Sequence, residues 1–146
     1  MEEFAVALDR VIAAPREKLY RAWLDPEVLA RWMGPHDYSV VMATVDPRVG
    51  GEHVVEMIDA DGSPHVFTSV IEELVPDERI VLTFKFHPDA PETLLTVTFS
   101  DAEDGGTRLR LEHERITGEG LSGQNVNEGW SQTLAKLQAL SEGVDA

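Results

Sequence analysis

The stretch that decides the fold is residues 120–140, which reads GLSGQNVNEGWSQTLAKLQAL near the end of the chain. Its apolar side chains recur at intervals of three or four residues, the spacing of one face of an α-helix. That face comprises Val126, Trp130, Leu134 and Leu137, with Thr133 as its one polar member. The other face carries Gln132, Lys136, Gln138 and Glu142, and the capping candidates near the start are Ser122, Asn125 and Asn127. A long helix with one apolar face needs an apolar surface to pack against.

Most of the preceding chain alternates apolar and polar side chains, as half-buried strands do. The predicted strands are residues 4–10, 39–46, 52–58, 65–75, 79–86, 95–99 and 107–113. Two short helices follow the first strand: one with Pro15 at its first helical position, and one capped by Asp25 before Pro26. Sequential hairpins favour an antiparallel sheet, which the last helix alone is large enough to cover. The sequence therefore predicts an α+β fold with a curved sheet of about seven strands, a long C-terminal helix across it, and a cavity between them.

Composition places the chain in a class and excludes several functions. Its 146 residues suit a single domain, residues 1–146, and the absence of cysteine excludes disulfides and thiolate metal sites. The N-terminal sequence is acidic and no apolar run is long enough to span a membrane, so we expect a cytoplasmic protein. A formal charge of −15 would repel nucleic acid and anionic membrane surfaces. No HExxH or close histidine pair is present, so we expect no metal and no cofactor.

Histidines and one pair of carboxylates are the candidates for acid–base chemistry. His53 alternates in register with Val55 and Met57, and His113 with two leucines, so both rings are expected to point inward. The structural alternative is a half-buried histidine satisfied by a hydroxyl or water. His65 is a further candidate. Glu72 and Glu73 face opposite sides of a strand: an inward Glu73 would have a raised pKa and could act as a base, whereas at a strand end it would stay in water. No Ser-His-Asp arrangement is present, and the catalytic residues stay unknown.

Five segments together resemble the activator of heat-shock-protein ATPase homologue family, within the START-like (SRPBCC) helix-grip superfamily. They are PREKLYRAWLDPEVLARWMGP, DPRVGGEHVVEMIDADG, VIEELVPDERIVLTF, TVTFSDAEDGGTRLRLEHE and GWSQTLAKLQAL, in the family's order across nearly the whole chain. The resemblance implies a helix-grip fold and a cavity that holds an apolar small molecule. It does not choose one function, because the superfamily contains carriers, cyclases and a co-chaperone domain.

The resemblance also implies where ligand-binding residues fall. The Gly-Trp pair of the last helix is Gly129 and Trp130, and the aromatic residue of an LTW-like motif is Phe84. His53 and Val55 occupy third-strand positions that are often aromatic, which implies a more polar or roomier pocket. The predicted ligand-binding residues are Trp23, Trp32, His53, Val55, Met57, Phe84, Phe86, His113 and Trp130. For Trp23 and Trp32 the alternative is core packing, in which each would anchor a short helix to the sheet.

Three functions follow from these observations. The first is binding of an apolar or amphipathic small molecule beneath the last helix. The second is an enzyme acting on a hydrophobic substrate, of the cyclase or hydrolase type, through His53, His113 or Glu73. The third is a co-chaperone-like role in the stress response, which ranks last because the co-chaperone normally works with an additional N-terminal domain. An exposed sheet edge would also suit a homodimer.

Overall fold

The computed structural model describes residues 3–117 and 121–143 and confirms the α+β helix-grip fold. The strands are β1 (Phe4–Ile12), β2 (Ser39–Val45), β3 (Glu52–Ile58), β4 (Pro64–Val75), β5 (Arg79–Phe84), β6 (Thr93–Asp101) and β7 (Thr107–Ile116). The helices are α1 (Arg16–Leu24), α2 (Pro26–Trp32) and α3 (Gly123–Ser141), and a 3₁₀ turn lies at Glu103–Gly105.

The seven strands form one curved antiparallel sheet in the order β1-β7-β6-β5-β4-β3-β2. Strands β2 to β7 pair with their neighbours in sequence. Strand β1 pairs with β7 and forms the edge of the sheet opposite β2. Register sets which side chains share a face: Val55 pairs with Phe67 and Met57 with His65, so all four lie on the concave face.

Helix α3 packs its apolar face onto the concave side of the sheet, as its spacing predicts. All five members of that face are buried, Thr133 included. The Ser122 side chain accepts a hydrogen bond from the Asn125 backbone N–H, and the Asn125 side chain accepts one from the Ser122 N–H, so a capping box opens the helix. Of the predicted helix range, Gly120 lies outside the described residues.

Some boundaries differ from the sequence predictions. Pro15 has extended backbone geometry (φ −72°, ψ 154°) and caps α1, so it is not the first helical residue; Arg16 is. Strand β5 ends at Phe84, two residues earlier than predicted, since Lys85 forms only an isolated bridge to Thr68. Strands β1 and β7 are longer than predicted because their backbones pair from Phe4 with Ile116 to Ile12 with Thr107. Strand β6 is also longer, since Thr93 pairs with β5 and Asp101 with β7. The ends of these strands are set by pairing with another strand, and side-chain alternation within one strand does not reveal where that pairing stops.

The loop after α2 turns sharply at Gly34 to reach the mouth of the space under α3. Gly34 has φ +94°, and an added Cβ would lie 2.7 Å from Met57 Sδ, so glycine is required for both conformation and space. The loop positions Pro35 and Tyr38 beside α3. None of the helices in residues 3–117 and 121–143 is long and apolar enough to cross a membrane.

Candidate functional site

A cavity of about 330 Å³ lies between the sheet and the N-terminal half of α3. Its lining residues are Pro35, Tyr38, His65, Phe67, Phe84, Phe86, His87, Leu121, Asn125, Val126, Gly129, Trp130 and Thr133. Most of these side chains are apolar or aromatic. His87 and Asn125 are exposed, so the cavity reaches the surface. An apolar cavity with a few polar groups is the usual form of a small-molecule site.

Aromatic rings form the inner wall. Phe67 and Phe84 lie 5.0 Å apart between ring centroids, and Phe84 and Phe86 lie 5.2 Å apart in an edge-to-face arrangement. The Trp130 ring completes the wall from α3, 5.8 Å from Phe84. Such edge-to-face and tilted pairs are favourable beyond their buried area and hold the rings in place.

Behind this wall, His113 is fixed by a chain of hydrogen bonds. The Trp130 Nε1–H donates to His113 Nδ1 at 3.0 Å, and His113 Nε2 lies 2.6 Å from Thr93 Oγ1. Thr93 donates its own proton to the Phe84 carbonyl oxygen at 2.7 Å, so His113 Nε2 must carry the proton and Nδ1 must be bare. Burial lowers the pKa of His113 to about 3. The ring is therefore neutral, and both nitrogens are already bonded.

A carboxylate–histidine pair lies at the rim. His65 Nε2 is 2.9 Å from Asp59 Oδ2, and the Tyr38 ring packs 4.9 Å from the His65 ring. Asp59 Oδ1 accepts hydrogen bonds from the backbone N–H groups of Asp61 and Ser63, and these bonds fix the carboxylate in the hairpin between β3 and β4. These hydrogen bonds, that from His65 first, lower the pKa of Asp59. An ionised Asp59 can only accept, so His65 Nε2 carries a proton.

On the helix side, Gly129 leaves room in the cavity. A Cβ at this position would have only Pro35 Cγ within 4 Å, at 3.8 Å, which is ordinary contact. The Thr133 hydroxyl donates to the Gly129 carbonyl oxygen at 2.7 Å and is thereby satisfied within the helix. Lys136 Nζ donates to the Pro35 carbonyl oxygen, and burial lowers the pKa of Lys136. The Lys136 hydrogen bond fastens the loop after α2 to α3.

Of the nine predicted ligand-binding residues, Phe84, Phe86 and Trp130 line the cavity. His113 lies directly behind them, with its ring stacked 5.3 Å from Phe86. The remaining five, Trp23, Trp32, His53, Val55 and Met57, are buried and do not line it. Trp23 and Trp32 pack edge to face at 4.7 Å.

The predicted inward orientation of His53 and His113 is confirmed, since both rings are buried. His53 Nε2 bonds the Trp23 carbonyl oxygen at 2.8 Å, and burial lowers the pKa of His53 despite that bond. The inward alternative for Glu73 is wrong: the side chain is exposed and pairs with Arg79 at 2.7 Å. A register shift between Ile71 and Glu73 breaks the alternation at this point, and Glu72 is exposed as well.

The predicted ligand-binding set lacks the rim of the cavity. Tyr38 and Pro35 belong to a loop whose position depends on Gly34, and Leu121 precedes α3. His65 and Phe67 lie on one face of β4, and Val66 and Thr68 lie on the other. Both pairs would suit a buried face, so the alternation in the sequence does not identify the face that points to the cavity. The signal that finds them is cross-strand pairing with Met57 and Val55.

Other depressions and clusters are less suited to a ligand. A groove between β1 and the start of α3 is lined mainly by exposed side chains, among them Gln124, Asn127 and Glu128. Within the part of the chain that the structure describes, no group of three or more histidine, aspartate or glutamate side chains could hold a metal ion.

Comparison with known proteins agrees with this architecture. The model of the family described as Activator of Hsp90 ATPase homolog 1-like protein matches residues 13–142. A crystal structure of a Chromobacterium violaceum protein has 37% identity and a TM-score of 0.87, and the match covers 94% of this chain and 97% of that one.

Two further solved structures share the fold. The AHSA1 protein from Silicibacter pomeroyi is 24% identical with a TM-score of 0.80, covering 94% of this chain and 96% of that one. The AHSA1-like protein from Aeromonas hydrophila is 23% identical with a TM-score of 0.78, covering 97% and 96%. No curated protein matches the chain. The family match spans most of the chain and all three helices, and the chain belongs to the Activator of Hsp90 ATPase homolog 1-like family.

Proposed function

We propose that this protein binds an apolar or amphipathic small molecule in the cavity beneath α3. The observation that carries the proposal is the ring-lined space of about 330 Å³ between Trp130 of α3 and the phenylalanines of β4, β5 and the residues after β5. Binding sites for small molecules range from about 300 to 1,000 Å³, so this space suits a compact ligand.

The helix sequence supports the same proposal. Gly129 lies in the interior of α3, where glycine costs roughly 1 kcal/mol of helix stability relative to alanine. Neither a positive φ nor a close backbone contact requires glycine there, because an added Cβ meets only Pro35 at 3.8 Å. What a larger side chain would take away is cavity space.

An enzyme of the cyclase or hydrolase type is the second alternative and has less support. His113 has both ring nitrogens engaged, His53 Nε2 bonds a backbone carbonyl in the core, and Glu73 faces water. A proton-transfer role for either histidine would require an existing bond to break. The co-chaperone-like role, the cytoplasmic location and a homodimer through a sheet edge stay predictions.

The test is a titration with prodan, a neutral two-ring naphthalene probe whose fluorescence rises in an apolar site. The wild-type protein is expected to bind the probe with a saturating rise. Gly129→Leu places an isobutyl group where the structure leaves room for a Cβ and directs it into the cavity, so affinity should fall at least about tenfold.

Asn127→Leu is the matched control, because it adds the same side chain to an exposed position of the same helix outside the cavity. It should bind the probe as the wild type does. Circular dichroism establishes that both variants are folded. Equal binding by wild type and Gly129→Leu, or no saturable binding by the wild type, would contradict the proposal.

A further inference from the structure

We propose that the cavity selects a neutral aromatic molecule of one or two rings that carries a hydroxyl or N–H group, and that His65 accepts the hydrogen bond from that group. This inference rests on the proposed function and names the class of its ligand. It is carried by the pairing of His65 with Asp59 at the rim of a cavity whose walls are rings.

One ring nitrogen of His65 is available to a ligand. Asp59 Oδ2 lies 2.9 Å from Nε2, and two backbone N–H groups donate to its Oδ1. The carboxylate is thereby fixed where it accepts a hydrogen bond from the Nε2–H of His65. In the neutral ring, Nδ1 is then an acceptor. Among the residues that the structure describes, no group donates to it. His65 lines the cavity, so Nδ1 is the nitrogen left for a ligand.

The charge around His65 is negative. Asp59 keeps a negative charge beside the His65 ring, and the whole chain carries a formal charge of −15. An acceptor nitrogen next to a carboxylate disfavours an anionic ligand and favours a neutral hydrogen-bond donor.

The walls and the size of the cavity restrict the shape of the ligand. Beyond His65 most of the lining is apolar: Phe67, Phe84, Phe86 and Trp130 on the inner wall, and Leu121 and Val126 towards α3. Of its other polar members, His87 and Asn125 are exposed and Thr133 donates within the helix. Flat aromatic ligands gain edge-to-face and stacked contacts from such walls. A volume of about 330 Å³ lies near the lower end of the range for small-molecule sites, which limits the ligand to one or two rings.

The test is calorimetric titration at pH 7.5 with three probes of one ring system: 2-naphthol, 2-methoxynaphthalene and 2-naphthoate. The first donates a hydrogen bond, the second cannot, and the third is an anion. For the wild type we expect 2-naphthol to bind about fivefold tighter than 2-methoxynaphthalene, the usual effect of one neutral hydrogen bond, and 2-naphthoate to bind most weakly.

Two variants identify the anchor. His65→Phe keeps a ring and removes the nitrogens, so 2-naphthol should fall to the affinity of 2-methoxynaphthalene, which itself should change little. Asp59→Asn keeps an oxygen for the two backbone N–H groups and turns an N–H towards His65 Nε2, which moves the ring proton to Nδ1. This variant should lose the preference for 2-naphthol and gain affinity for 2-naphthoate, a reversal that simple loss of structure would not produce.

The outcomes separate this inference from the function on which it rests. Equal affinity of the wild type for 2-naphthol and 2-methoxynaphthalene would overturn the His65 anchor and leave ligand binding in place. Loss of the preference in Tyr38→Phe, with no loss in His65→Phe, would assign the anchor to the tyrosine and overturn it too. Failure of all three probes to bind would count against both proposals.

Discussion

His113 illustrates how one buried residue links the core to the cavity wall. Its ring contacts Phe84 and Phe86, and its nitrogens join β6 to α3 through Thr93 and Trp130. Because Nδ1 accepts a hydrogen bond from the Trp130 indole N–H, a second proton on the ring would face that N–H. Hydrogen-bond geometry and burial therefore both oppose the charged form.

This low pKa makes stability depend on pH. The unfolded chain protonates His113 below about pH 6.5, the ordinary histidine value, whereas the folded protein does so only at about pH 3. Between these values the unfolded state binds more protons, so the stabilisation present above pH 6.5 is progressively lost as the pH falls.

His113→Phe should cost about 1 to 3 kcal/mol at pH 7.5, because the buried Trp130 N–H loses its acceptor. That cost should shrink as the pH falls from 6.5 to 5, by up to about 1.4 kcal/mol per pH unit. Urea unfolding at each pH measures it. Trp130→Phe breaks the same hydrogen bond but keeps the imidazole, so its stability should retain the wild-type pH dependence and its cost should be the same at pH 5 and 7.5. A cost of His113→Phe that is the same at pH 5 and 7.5 would contradict this account.

At the scale of elements, α3 both covers the concave face of the sheet and forms one wall of the cavity. It is fastened to β1 by Arg10, whose guanidinium donates to the Ser131 carbonyl oxygen at 2.8 Å near the middle of the helix and to Gln138 in its C-terminal half. Its N-terminal half holds Val126, Gly129 and Trp130 against the cavity. The helix therefore serves both the stability of the fold and the candidate site.

Gly129→Ala separates these two roles. The added methyl has room beside Pro35, and alanine favours the helix, so the free energy of unfolding should rise by up to about 1 kcal/mol. The same methyl takes space from the cavity, so affinity for prodan should fall. Urea unfolding and probe titration on one preparation measure both. A variant that is more stable and binds the probe with unchanged affinity would show that glycine is not kept for the cavity.

The sequence predicts the elements well where a local pattern is complete. The spacing of Val126, Trp130, Leu134 and Leu137 identifies the buried face of α3. Alternation, β-branched runs and turn residues together identify all seven strands. The ends of β1, β5, β6 and β7 are missed because they depend on pairing between strands.

The candidate site is predicted only in part for a similar reason. Phe84, Phe86 and Trp130 are found because they lie on strongly patterned segments or motifs. Tyr38 is placed by a glycine turn, and His65 by the register between β3 and β4. His65 gains its chemical character from Asp59 across a hairpin, a contact that residue spacing alone does not reveal.

At the scale of the whole molecule, the fold places one tryptophan at the cavity and another in the core. Trp130 lines it and donates to His113, whereas Trp32 donates to the Ala22 carbonyl oxygen deep in the core between α1 and α2. Their indole N–H groups are therefore internal reporters for the site and for the core of one protein.

The measurement that tests the central claim most directly is a titration of the ¹⁵N-labelled protein with 2-naphthol, followed by the indole N–H resonances. Ligand binding beneath α3 predicts a saturable shift of the Trp130 signal while the Trp32 signal stays in place. A Trp130 signal that does not move at saturating 2-naphthol, or an equal shift of both signals, would contradict a ligand site in this cavity.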